Sequence, residues 1–108
     1  MSNIFETSKT FVPAENISYA DGSVVSKTII KKATGNITLF AFDKGEGLAE
    51  HNTPHEALVQ LLDGQAEITI DGTIYNVHAG QSIILPSNTP HSLKANEKFK
   101  MMLVMIKG

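Results

Sequence analysis

The stretch Gly47–Gly64, GLAEHNTPHEALVQLLDG, decides how the rest of the chain reads. It opens on a glycine, sets His51 and His55 around Pro54, runs apolar from Ala57 to Leu62 and closes on Asp63-Gly64. A short apolar run bounded by a proline and an Asp-Gly pair favours a strand over a helix. A second segment, Gly80–His91, GQSIILPSNTPH, supplies another histidine, so three of the chain's four histidines fall in these two segments.

Around them the chain reads as strands. Ser23–Lys32 is β-branched, and Ile37–Asp43 puts Ile37, Leu39 and Ala41 on one face and Phe40 and Phe42 on the other. Gln65–Ile70 alternates with Ala66, Ile68 and Ile70 inward; Thr73–Val77 returns with Tyr75 and Val77 inward. Between them Asp71-Gly72 is the strongest short-range hairpin signal a sequence carries. Ser82–Leu85 ends at Pro86, and His91–Ala95 places His91, Leu93 and Ala95 on one face. Phe99–Ile106 is apolar on both faces apart from Lys100, which implies cover on both sides. Met101, Met102 and Met105 on it read as packing. Residues 1–22 are weakly patterned and read as an arm, covering an edge or reaching a partner chain, before a barrel spanning 23–108. No segment keeps a helical period beyond about two turns, so the chain is all-β, a sandwich or small barrel.

The bulk numbers narrow the function. At 108 residues there is room for one core. A net charge of −2 with no basic cluster argues against nucleic acid. No apolar stretch approaches the roughly 18 residues of a membrane helix, and the start lacks the pattern of a signal peptide. With no cysteine, thiolate metal sites, disulfides and cysteine nucleophiles are excluded, which fits a reducing cytoplasm. Neither a Gly-x-Ser-x-Gly elbow nor a phosphate-binding glycine loop is present.

Taken together, the two segments resemble the two motifs of the cupin superfamily, small double-stranded β-helix (jelly-roll) barrels. Gly47, His51 and Gly64 match the first motif, and Gly80, Pro86 and His91 match the second in spacing; the likeness covers roughly residues 24–106. The resemblance implies a metal held by two histidines and an acidic residue of the first motif plus the histidine of the second. Here Thr53 stands at the second histidine position and Ala57 at the acidic one, leaving His51 and His91. Asn88 replaces a usual glycine, a position asparagine can fill because it tolerates left-handed backbone. Ala95 replaces a usual asparagine.

The site therefore admits alternatives. His55 is the candidate to restore a third imidazole, with an open coordination position suited to one divalent ion such as Zn, Ni, Fe or Mn. Glu56 serves only if the turn after Pro54 is irregular, because a one-residue slip reverses a strand's face. The other reading is metal-free: Thr53, Ala57, Val59 and Leu61 line a pocket in which His51 and His91 fix the polar end of a small ligand. His78 reads as an outward residue beside a turn, Gln60 as facing away from the barrel, and Asp43 as a turn contact. Enzyme and binding module both remain open, beside a filled barrel that is only a dimeric scaffold. The resemblance and the doubly apolar last strand point to a homodimer.

Overall fold

The computed structural model describes residues 5–107. Eight strands follow in order: β1 (Val24–Lys32), β2 (Gly35–Phe42), β3 (Gly47–His51), β4 (Glu56–Ile70), β5 (Thr73–His78), β6 (Ser82–Leu85), β7 (His91–Lys94) and β8 (Phe99–Ile106). All pairings are antiparallel. One layer runs β1-β2-β8-β4-β6 and the other β3-β7-β4-β5, with β4 common to both. The expected all-β cupin barrel is the fold observed.

Asp63-Gly64, expected to close a strand, is instead a crease inside one. A register shift between Leu61 and Asp63 and a left-handed Gly64 bend β4 without ending it. Up to Gly64 the strand pairs with β8; from Gln65 it pairs with β5. The Asp71-Gly72 hairpin forms as read: both residues have positive φ, as a two-residue turn matching the strand twist requires. Tyr75 corrects another expectation. Within the described residues β5 pairs only with β4, so it is an edge of its layer, where Tyr75 is 43% exposed while Val77 is buried.

Alternation fills the interior. Phe42, Val59, Leu61, Ile68, Phe99 and Met101 are fully buried in one cluster, each contributing about 1.5–3 kcal/mol of apolar burial. A second cluster lies on the outer face of the β1-β2-β8-β4 layer, where Ile17, Phe5 and Tyr19 pack against Ile29, Leu39, Ala41 and Met102. The N-terminal segment thus covers a face of its own sheet rather than an edge; it contains a 3-10 turn at Pro13–Glu15 and no strand within the described residues. The first four residues of the expected arm lie outside the described residues. Lys100 Nζ, which interrupts the apolar last strand, donates to the Ala14 carbonyl of this segment at 2.7 Å. Asp43 makes the expected turn contact: Gly22 N–H donates to its carboxylate at 2.7 Å, and this bond, aided by Lys44 N–H, holds its pKa below the usual carboxylate range. Among the described residues no helix is long and apolar enough to cross a membrane.

Candidate functional site

The site begins with a register irregularity. Leu48 opposes Leu93 and His51 opposes His91, so three steps along β3 match two along β7. Residues three apart on a regular strand face opposite ways; the extra residue turns both Leu48 and His51 to the same cavity. His51 Nδ1 lies 2.9 Å from the Ala49 carbonyl inside this bulge. His91 Nδ1 lies 3.2 Å from the Thr89 carbonyl. A carbonyl only accepts, so each Nδ1 carries the proton and each Nε2 keeps its lone pair when the ring is neutral. The two rings meet edge to face with centroids 4.5 Å apart.

The loops beside the histidines are stitched together. Asn88 N–H donates to the Thr53 carbonyl at 2.7 Å, from the left-handed conformation (φ 55°) expected of asparagine there. The Thr53 hydroxyl accepts the His55 N–H at 3.2 Å.

His51, Thr53, Ala57 and His91 line a partly open cavity of about 50 Å³ together with Leu48, Leu85, Leu93, Met101, Leu103 and Met105. That volume holds a few waters. His51 is exposed and marks the mouth; His91 is only 4% exposed and forms the wall. Burial holds the His91 imidazole below the ordinary histidine pKa; the Thr89 carbonyl opposes this, and the neighbouring His51 adds to it. No described residue bonds His91 Nε2, and among the described residues no fully buried side-chain nitrogen or oxygen lacks a partner, so Nε2 stays accessible.

Of the residues read from sequence, the structure brings together His51, His91, Thr53 and Ala57. His55 does not join them: it sits in the bend before β4, half-buried, and does not border the cavity. Glu56 faces outward, one residue from inward Ala57. Val59 and Leu61 point inward as expected, yet they are packed in the filled end of the barrel and do not border the cavity. His78 is exposed, and its backbone N–H donates to Gln81 Oε1. The leucine and methionine walls were not anticipated. Met101, Leu103 and Met105 alternate along β8, which was the available signal.

This donor set does not fit the metal that the motifs imply. Among the described residues no three His, Asp or Glu side chains are grouped to hold an ion. Two imidazoles and a hydroxyl fall short of the three protein ligands of an open catalytic site.

A cupin domain profile matches residues 38–107. The chain is 31% identical over 83 residues to a quercetin 2,3-dioxygenase of Bacillus subtilis, spanning 71% of this chain but only 24% of that enzyme's length. It is 32% identical over 90 residues to a pyrimidine/purine nucleoside phosphorylase of Syntrophotalea carbinolica, spanning 82% of this chain and 84% of that protein. A conserved protein of unknown function from Streptococcus pyogenes superposes with a TM-score of 0.92 at 37% identity, covering 100% of this chain and 96% of the other. With the paired motif histidines in place on an eight-stranded barrel, and the profile spanning most of the chain, the protein belongs to the cupin family.

Proposed function

We propose that this cupin is a cytoplasmic, metal-free binding module for a very small ligand carrying a hydrogen-bond donor. The observation that carries this reading is the pair of imidazoles whose tautomers are fixed by backbone carbonyls, leaving two Nε2 acceptors beside one cavity. A hydroxyl, amide or ammonium group would donate to them, while Leu48, Leu85 and Leu93 cover the apolar remainder. The absence of cysteine fits the reducing compartment.

Size argues for the same class. Drug-sized ligands need about 300–1,000 Å³, several times this cavity. A nucleoside does not enter it as it stands, and among the described residues no lysine or arginine lines it to hold phosphate. The dioxygenase relative favours a second reading, in which His51 and His91 hold a divalent ion whose other positions are water.

Side-chain ¹⁵N NMR separates the readings. Acetamide, a small donor, is expected to shift Nε2 of His51 and His91 and to leave His55 and His78 unmoved. Equal movement of all four histidines, or none, rejects the pocket. Protein purified without a histidine tag is expected to carry less than stoichiometric metal and to gain no melting temperature from Zn, Ni, Mn or Fe. One tightly held equivalent would replace the first reading with the second.

Acid tests the same wall. Because the folded-state pKa of His91 is lowered, the unfolded chain takes up its proton first as pH falls. The stabilising contribution is complete above about pH 6.5, the unfolded value, and is lost as pH falls through the lower folded value. Thermal unfolding from pH 8 to 5 is expected to show this loss, and His91→Gln to flatten it. Protonation also converts His91 Nε2 from acceptor to donor, so a ligand that only donates, such as the ammonium ion, binds more weakly over the same window. Unchanged affinity across it would contradict the donor–acceptor assignment.

A further inference from the structure

Besides its two imidazoles, the cavity presents one other kind of reactive group. The chain has no cysteine, and the Thr53 hydroxyl already accepts the His55 N–H. The rest of the described lining is aliphatic apart from two thioethers, Met101 and Met105. Alternation along β8 turns both toward the interior and leaves Met102 on the outer face, in the cluster with Ile17 and Tyr19. Met101 is deep, only 1% exposed, whereas Met105 is half-buried. In the β4–β8 register Met105 lies opposite Ala57. Ala57 stands where the motif places an acidic ligand, so a methyl group leaves space beside Met105 that a carboxylate would fill.

This pairing of groups narrows the class of very small donors. Two acceptors on two rings suit a ligand with two donors. A thioether is a soft nucleophile whose ready reaction is oxygen transfer to give the sulfoxide. Hydrogen peroxide answers both. It carries an O–H at each end, and its bulk is about that of two waters, which a cavity of about 50 Å³ holds. We propose, resting on the binding reading above, that this cavity takes hydrogen peroxide and that the peroxide oxidises Met105 to its sulfoxide.

The step balances within the site. The Met105 sulfur lone pair attacks one peroxide oxygen, and the S–O bond forms as the O–O bond breaks. The proton on the attacked oxygen passes to an imidazole Nε2. The imidazole returns a proton to the departing oxygen, which leaves as water. Sulfur loses two electrons and each peroxide oxygen gains one, while His51 and His91 end as they began. The new oxygen takes up room in a cavity that holds only a few waters. It also makes an apolar wall polar, so oxidation shuts the pocket to further ligand.

NMR of the full chain labelled at its methionine methyl carbons follows each thioether separately during exposure to hydrogen peroxide. Met105 is expected to convert at least about tenfold faster than Met102, which is also half-buried but lies on the outer face. His51→Gln and His91→Gln keep the bulk of the wall but cannot relay a proton. Each is expected to bring Met105 to within about twofold of Met102 while the Met102 rate holds. tert-Butyl hydroperoxide needs no variant: it has the same O–O bond on a group too large for the cavity, and is expected to show no preference for Met105. Protein already oxidised at Met105 is expected to lose the acetamide shift of both Nε2 atoms. Equal rates at Met105 and Met102 with hydrogen peroxide overturn the proposal. If acetamide still shifts His51 and His91 in that case, the binding reading stands alone; if it does not, both fall. The same preference with the bulky peroxide, or an undiminished one in both glutamine variants, overturns the proposal by making the oxidation a matter of exposure.

Discussion

Gly64→Ala is expected to cost about 3–5 kcal/mol, enough to leave a domain of ordinary stability barely folded. Two independent costs add. At φ 75° a side chain is strained by about 1–3 kcal/mol. A Cβ there would also sit 2.3 Å from the Lys98 carbonyl oxygen and 3.1 Å from Phe99 Cα, both backbone atoms that cannot rotate away. Forcing them apart costs about another 2 kcal/mol. The melting temperature should fall by roughly 15–25 °C. Gly72→Ala is the control: its φ is 80°, but nothing lies within 4 Å of the added carbon, so only the strain applies. If calorimetry gives equal losses for the two variants, the close approach of β8 to the crease is not what fixes glycine at position 64.

The second large effect lies directly across from this glycine. Phe99→Ala should cost about 3–5 kcal/mol, the range for emptying a buried aromatic site. Phe99 is fully buried, and its ring stacks on Phe42 with centroids 4.5 Å apart and planes 16° from parallel. The two residues face each other in the β2–β8 register, so neither ring can slide to fill the space the other leaves. Urea unfolding should show a lower midpoint with an unchanged slope, the mark of lost stability rather than altered compactness. A loss below about 1.5 kcal/mol, the level of a volume-conserving exchange, would mean that the core closes around the gap.

How much of this could be read from the sequence follows from which features are local. Alternation in β2, the Asp71-Gly72 turn and the left-handed backbone of Asn88 depend on neighbouring residues, and each appears as read. The placement of His51 opposite His91 came from the motif spacing. The bulge after Leu48 did not, because an extra residue on one strand shows only against the register of its partner. For the same reason β4 looked like two strands: Asp63-Gly64 carries turn chemistry, and only the continuous pairing along its length makes it a bend. His55 was open because it lies an even step from His51 while Pro54 breaks the strand between them, which leaves the loop to decide where it points. The chain bends at residues 54–55, and His55 does not border the cavity. Val59 and Leu61 were placed on the right face but at the wrong depth. Depth depends on what fills the barrel from the other layer, and here Ile68, Phe99 and Met101 fill it.

Because β4 holds the inner hydrogen bonds of both layers, neither layer owns a complete set of partners without it. Melting one layer while the other stands would require β4 to release β8 and β6 yet keep β5 and β7, across a crease of one residue. That intermediate would expose the shared core while recovering the chain entropy of only half the molecule. The two layers are therefore a single cooperative unit. Partial opening is left to strand ends and hairpin tips such as Thr73–Tyr75.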